Sequence, residues 1–283
     1  MTRRIKKLGA ADHDAGRCRG YTCSMVARTH KPPGHWPREH GAVAQLLIPL
    51  AAALLLGHPN PSALLLAVAA LATFAAHEPL LVLRGLRGKR VQVQEGALAR
   101  RHLLQRLAVA TLAGFWPLLH ASRAVWGARL VLALLATAQL ALTLTGRHKS
   151  LPGEWLAGGL LSMGALPVAL TAGVTLPDAW VQCATWASGF ALMTTAVHAC
   201  KARALQQGTY ARLAIATLVP GLLAIAGALL RPQWRAVLPM AGAAILLTLV
   251  PVRPRHMARV GWLLAVASLL GLALQLTARA GGL

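Results

Sequence analysis

The sequence predicts an all-α fold, a polytopic transmembrane helical bundle of about nine spans. Three observations carry that prediction. Hydrophobic residues make up 56% of the 283-residue chain and charged residues only 13%, roughly half the charged fraction of a soluble domain. Apolar runs of near-bilayer length, with few or no charges, follow one another through short connections. The charge is strongly basic, with 29 Lys and Arg against 7 Asp and Glu, and it collects between the runs. A disordered basic chain would be poor in Leu, Ala and Val, and a soluble nucleic-acid binder would not combine this charge with a mean hydropathy of +0.56.

The runs lie at Gly41–Gly57, Pro61–Leu83, Leu107–Ser122, Leu130–Gly146, Trp155–Leu176, Ala179–Cys200, Leu213–Leu230, Ala236–Val252 and Val260–Ala278. The third is the shortest and is interrupted by Trp116-Pro117 and His120. Pro49, Pro167, Pro220 and Pro239 fall inside runs, where neighbouring helices can satisfy the carbonyls that proline frees. With the N-terminus inside and the C-terminus outside, 24 of the 29 Lys and Arg fall on the inner side, as the positive-inside rule asks. Seven of these lie between Arg84 and Arg106, read as a basic loop. Trp36, Trp126, Trp155, Trp180 and Trp234 stand at run ends, where interfacial aromatics belong.

The chain divides into a disordered basic cytoplasmic tail, 1–35, and a transmembrane helical domain, 36–283. No signal peptide is expected, because the first 35 residues lack an apolar core. Met25 offers a second start site, which would make Asp12 and Asp14 annotation artefacts. The Ala-, Leu- and Arg-heavy composition points to a GC-rich bacterium and so to the bacterial cytoplasmic (inner) membrane, with membrane lipids as partners. Cys18, Cys23, Cys183 and Cys200 form no disulfide framework, and Cys18, Cys23, His30 and His35 match no zinc-module spacing. No metal site and no cofactor are expected. The basic tail is explained by anionic lipid, so no nucleic acid partner is expected.

An ionisable group within a bilayer is costly and therefore a functional candidate. Glu39, Glu78, Glu95 and Glu154 all fall toward the cytoplasmic side, and only Asp178 falls outside. Arg38-Glu39-His40 opens the first run. His77-Glu78-Pro79 sits in the second, six residues and so about 9 Å short of Arg84. Pro79 leaves a helix carbonyl without its partner. Arg147-His148-Lys149 closes the fourth run, Gly153-Glu154-Trp155 opens the fifth, and His198 and Lys201 share the last turns of the sixth with Arg203 just beyond. These groups come from different helices at one depth, which predicts a polar vestibule open to the cytoplasm. The competing reading is that each Glu pairs with Arg or Lys between helices. His58, His102, His120 and His256 are read as surface. Gly158-Gly159, Gly164 and Gly173 are read as close helix contacts.

The segment Trp36-Pro37-Arg38-Glu39-His40-Gly41-Ala42, running directly into an apolar stretch with Pro49, resembles the signature of the YwiC-like family of bacterial membrane proteins. Gly153-Glu154-Trp155-Leu156-Ala157-Gly158 and the His198–Lys201 helix end are similar to that family's pattern, and the resemblance runs from Trp36 to the C-terminus. Val43 departs from it, standing where an aromatic is expected. The family implies a membrane protein and no particular chemistry. In architecture the chain also resembles the UbiA-type prenyltransferases, which have nine helices, an inside N-terminus and a cytoplasmic vestibule. Their two Asp-rich motifs would correspond to Glu78–Arg90 and His198–Arg203, and neither stretch holds an aspartate. Magnesium bound against a diphosphate wants several carboxylates, so that chemistry is not expected to carry over.

The leading expectation is therefore a membrane protein that binds or transports a small or amphipathic anion through Arg38, Glu39, His40, His77, Glu78, Lys149, Glu154, His198, Lys201 and Arg203. The reading leans away from an enzyme. Were it a UbiA-like transferase on a prenyl diphosphate with a remodelled site, His40, Glu78 and His198 would be the acid/base candidates. A structural or assembly factor of the membrane is the third class.

Overall fold

The computed structural model describes residues 40–251 and 257–280. The predicted tail, Arg38 and Glu39 lie outside the described residues, as does the side chain of His40. Every regular element among the described residues is helical. In chain order these are α1 (His40–Leu56), α2 (Pro61–Leu83), α3 (Lys89–Leu119), α4 (Arg123–Leu144), α5 (Leu151–Met163), α6 (Leu166–Thr171), α7 (Leu176–Ala204), α8 (Tyr210–Leu230), a 3₁₀ turn at Pro232–Trp234, α9 (Val237–Leu249) and α10 (Met257–Ala280).

Short side chains start the helices. Asn60, Ser122, Ser150 and Thr175 each accept a hydrogen bond from the backbone N–H three residues on, occupying donors that a helix start leaves orphaned. Pro61, Pro152 and Pro177 follow three of these caps inside the first turn, where the missing N–H costs nothing. Asp178 belongs to this machinery, since it accepts the Thr175 hydroxyl at 2.7 Å. Asp178 thus serves a helix start.

Helix ends repeat one device. After α2, α4, α6 and α7 the chain makes paired 6→1 and 5→2 backbone bonds, such as Leu86 N–H to Leu81 and Gly85 N–H to Val82. The pivotal residue has a positive φ, and it is Gly85, Gly146 and Gly173 in three cases. In the fourth it is Gln206, at φ 52°. Gly173 is thus a helix stop rather than the close contact expected of it: a Cβ there would meet nothing within 4 Å.

The apolar runs all fall on helices, with two corrections. The basic stretch 84–106 is not a loop; after a five-residue turn it joins the third run in one helix of 31 residues, α3. α3 packs against α2, and its basic first half continues without a break into the apolar run. The fifth run is not a single helix, for it breaks at Gly164-Ala165 and stops at Thr171. Five stretches are long and apolar enough to cross a bilayer: Pro61–Leu83, Arg123–Leu144, Leu151–Thr171, Tyr210–Leu230 and Arg259–Arg279. α1 and α9 are apolar but shorter, and α3 and α7 carry too many polar residues to qualify by composition.

Two apolar clusters hold the helices together. One gathers Trp186, Phe190 and Met193 of α7 with Ile48 and Ala52 of α1, Met240 and Ala244 of α9, and Val260 of α10. The other centres on Leu166, Val168 and Ala169 of α6, against Leu46 and Leu50 of α1 and Leu66 of α2. α4 and α8 stand at the periphery, with only 11% and 17% of their apolar windows buried. Their Leu, Ile and Val side chains face outward, which suits hydrocarbon and not water.

Candidate functional site

The predicted residues resolve into two separate constellations. The first surrounds Glu78, only 5% exposed. Arg87, in the turn between α2 and α3, grips it with both edges of its guanidinium, Nε donating to Oε1 at 2.8 Å and Nη2 to Oε2 at 2.6 Å. A two-point match of this kind fixes both side chains. Arg106 of α3 is within coulombic reach of Glu78, and its Nη1 donates to the Ala75 carbonyl at 2.6 Å. Ala75 is four residues before Pro79, so its carbonyl is the one that the proline deprives of a helix N–H. One arginine therefore answers the carboxylate and another the broken backbone. Arg129 of α4 donates to the Gly114 carbonyl at 3.0 Å, three residues before Pro117. Glu78 is thus held in a two-point ion pair with Arg87, the kind of pairing that the competing reading describes. His77, half-buried beside it, has its own interactions.

The second constellation lies where the start of α5, the end of α7 and the start of α8 meet. Glu154, in the first turn of α5, receives His198 Nε2 at 3.0 Å. The adjacent Trp155 donates its indole N–H to Thr195 at 3.0 Å, so consecutive α5 residues hold consecutive turns of α7. Gly153 is required here: a Cβ would stand 2.6 Å from the Arg147 carbonyl and 2.9 Å from that of His148. That contact sets how closely the 147–150 turn approaches α5, and so where Glu154 points.

Beside the pair opens a cleft of about 480 Å³, lined by His198, Lys201, Gln207, Thr209 and Arg212 with Leu151, Ala202, Leu205 and Leu213. Two basic residues, a His, a Gln and a Thr thus share the lining with four apolar residues. Thr209 stands at the N-cap of α8 but makes no side-chain cap bond, unlike the other Thr and Ser caps. Gln206, the one pivot with a left-handed backbone and a side chain, directly precedes these wall residues. Strained backbone of this sort collects at functional sites.

The cleft unites His198 and Lys201, with Glu154 behind His198, but not the whole predicted set. Lys149 is exposed in the turn before α5. Arg203 turns away, its Nη1 donating to the Leu249 carbonyl at 2.9 Å with the guanidinium 5.3 Å over the Tyr210 ring. It staples α7 to the end of α9 and lines no part of the cleft. Gln207, Thr209 and Arg212 were missed, because a short polar turn before an apolar run carries no motif. Arg87 and Arg106 were counted only as loop charge. Among the described residues no group of three or more His, Cys, Asp or Glu could hold a metal ion.

Helices apolar enough to span a bilayer, charged residues paired between them and a cationic cleft at one end together define a helical membrane protein. The family model described as YwiC-like protein matches residues 36–170. Over that region the chain is similar to the YwiC-like family; the match includes the Pro-Arg-Glu-His-Gly-Ala opening and the Gly-Glu-Trp segment and ends before the His198–Lys201 helix end. No curated protein and no solved structure matches the chain.

Proposed function

We propose that this is a multi-pass protein of the bacterial cytoplasmic membrane that binds or transports a small or amphipathic anion in the cleft between α5, α7 and α8. The carrying observation is the convergence of His198, Lys201 and Arg212 on one open cleft. Lys201 and Arg212 supply the attraction, and low-dielectric walls strengthen it. Glu154 orients His198 and tempers the positive charge. An anion with a tail suits the cleft best. Arg212 stands at the head of an exposed stripe on α8 formed by Ile215, Val219, Leu222 and Leu223, so a charged head at Arg212 leaves an apolar chain beside that stripe.

The topology that goes with this reading has nine crossings, the N-terminus inside and the cleft facing the cytoplasm. Its support is the inner-side excess of 24 among 29 basic residues. The transferase reading gains no observation in its favour, since Glu78 is occupied by Arg87.

The test is the thermal stability of the full chain in detergent, titrated with inorganic phosphate and with an anionic phospholipid. At least one should raise the melting temperature. Lys201→Gln with Arg212→Gln should then weaken that effect by about tenfold or more, the equivalent of 1.4 kcal/mol. An undiminished shift in the double variant, or no shift with either anion, removes the cleft as the binding site.

A further inference from the structure

Far from the cleft along α7, a second polar cluster is used by nothing described above. Gln182 is 3% exposed and Trp186 is fully buried, yet among the described residues both heteroatoms of the Gln182 amide and the indole Nε1 have no hydrogen-bond partner. The two residues are four apart on α7, so their side chains leave the same face of the helix. Trp186 lies face to face with Phe190, ring centres 5.9 Å apart, and its far edge reaches α10 at Gly271. A Cβ on Gly271 would stand 3.5 Å from the Trp186 ring and 2.5 Å from the Ala236 carbonyl, so α10 passes as near as a glycine allows. One turn further along α10 is Gln275, whose side-chain oxygen is likewise buried without a partner among the described residues. The 3₁₀ turn Pro232–Trp234 touches both α7 and α10.

We infer that Gln182, Trp186 and Gln275 form a buried hydration site, in which ordered water bridges α7 to α10. The chemistry selects water. The set holds an indole N–H and an amide NH₂ that can only donate, and two amide oxygens that can only accept. An anion would meet the oxygens and a cation the N–H groups, whereas water donates and accepts at once. The energetics require an occupant. Each buried donor or acceptor left dry costs its desolvation, and for four such atoms the sum approaches the whole stability of a folded domain. Within a bilayer no bulk water relieves that cost. Waters with two to four polar partners are the usual remedy in protein interiors.

Two measurements test the site. A map of the full chain in lipid nanodiscs, at a resolution that shows ordered water, should place at least one water within hydrogen-bond reach of both the Gln182 amide and Trp186 Nε1. A direct amide–amide pair between Gln182 and Gln275, or no density there, overturns the inference. Independently, Gln182→Leu and Trp186→Phe should each lower the melting temperature by about 3 °C or more. Their combination should cost less than the sum, because both release the same water. A rise in melting temperature with Gln182→Leu, the sign expected for a truly dry amide, overturns it, and so does strict additivity.

Discussion

Glu78 and Glu154 are the same residue type, each near the end of an apolar helix and each paired with a basic side chain. Their surroundings separate them. Glu78 is sealed between α2 and the α2–α3 turn by a two-point arginine, with a second arginine close by. Glu154 is about one-third exposed and makes a single contact to His198, whose ring also forms part of a cleft wall. A carboxylate held at both oxygens by a permanent cation, and only 5% exposed, offers little to a ligand. One held by a single titratable partner at the rim of an opening offers more. The contrast shows that burial and charge mark a candidate, whereas the number and permanence of its partners decide its role.

The sharpest way to break this contrast is to remove each partner. Arg87→Leu leaves the Glu78 carboxylate buried without its main counter-ion and should cost about 3 kcal/mol or more of stability. Glu78→Leu with Arg87→Leu should restore most of that, because a well-packed apolar pair replaces a desolvated ion pair at little loss. Denaturant unfolding of the purified protein checks both, and a double variant as unstable as Arg87→Leu would show that the pair does more than neutralise itself.

Next in size is the proline kink. Arg106→Met should cost about 1–3 kcal/mol, the desolvation of an unpaired carbonyl. The loss should shrink in a Pro79→Ala background, where residue 79 regains an N–H for the Ala75 carbonyl. Equal losses in the two backgrounds would mean that Arg106 acts only through charge.

At the open pair the expected stability effect is smaller. Glu154→Gln should change unfolding free energy by about 1 kcal/mol or less, as partly exposed pairs do, while altering anion affinity because His198 loses its orienting charge. If affinity is unaffected, Glu154 is as structural as Glu78 and the contrast fails.

The smallest effect concerns Gln206. Glycine at the positive-φ position should stabilise by about 1 kcal/mol, since a side chain in the left-handed region carries that penalty. A melting scan reads it, and an unchanged or lower melting temperature would mean that the Gln206 side chain makes up the backbone cost itself.

Much of the architecture was legible in the sequence because helices form from local information. Apolar composition, caps such as Asn60-Pro61 and stops such as Gly85 act within a few residues, and α2 runs over the bounds its apolar run predicts. The family segment was legible for a similar reason, since the Pro-Arg-Glu-His-Gly-Ala motif is contiguous. Local information failed where a segment's state depends on its neighbour. Residues 89–106 are too basic for an apolar run, yet they belong to one helix packed against α2. The break at Gly164-Ala165 is equally invisible inside an unbroken apolar run.

For the site, sequence by itself determined which residues were worth watching: Glu78, Glu154, His198 and Lys201 are ionisable groups near apolar helices, and the cost of such groups singles them out. Only the tertiary structure decided their partners. Hydrogen bonds and ion pairs act over about 3 Å, and the partners that matter stand 9 residues apart for Glu78 and Arg87 and 44 for Glu154 and His198. The same holds for Arg106 at the Ala75 carbonyl, for Arg212 in the cleft and for the orphaned Gln182 amide. Each owes its meaning to a neighbour that only packing brings within reach.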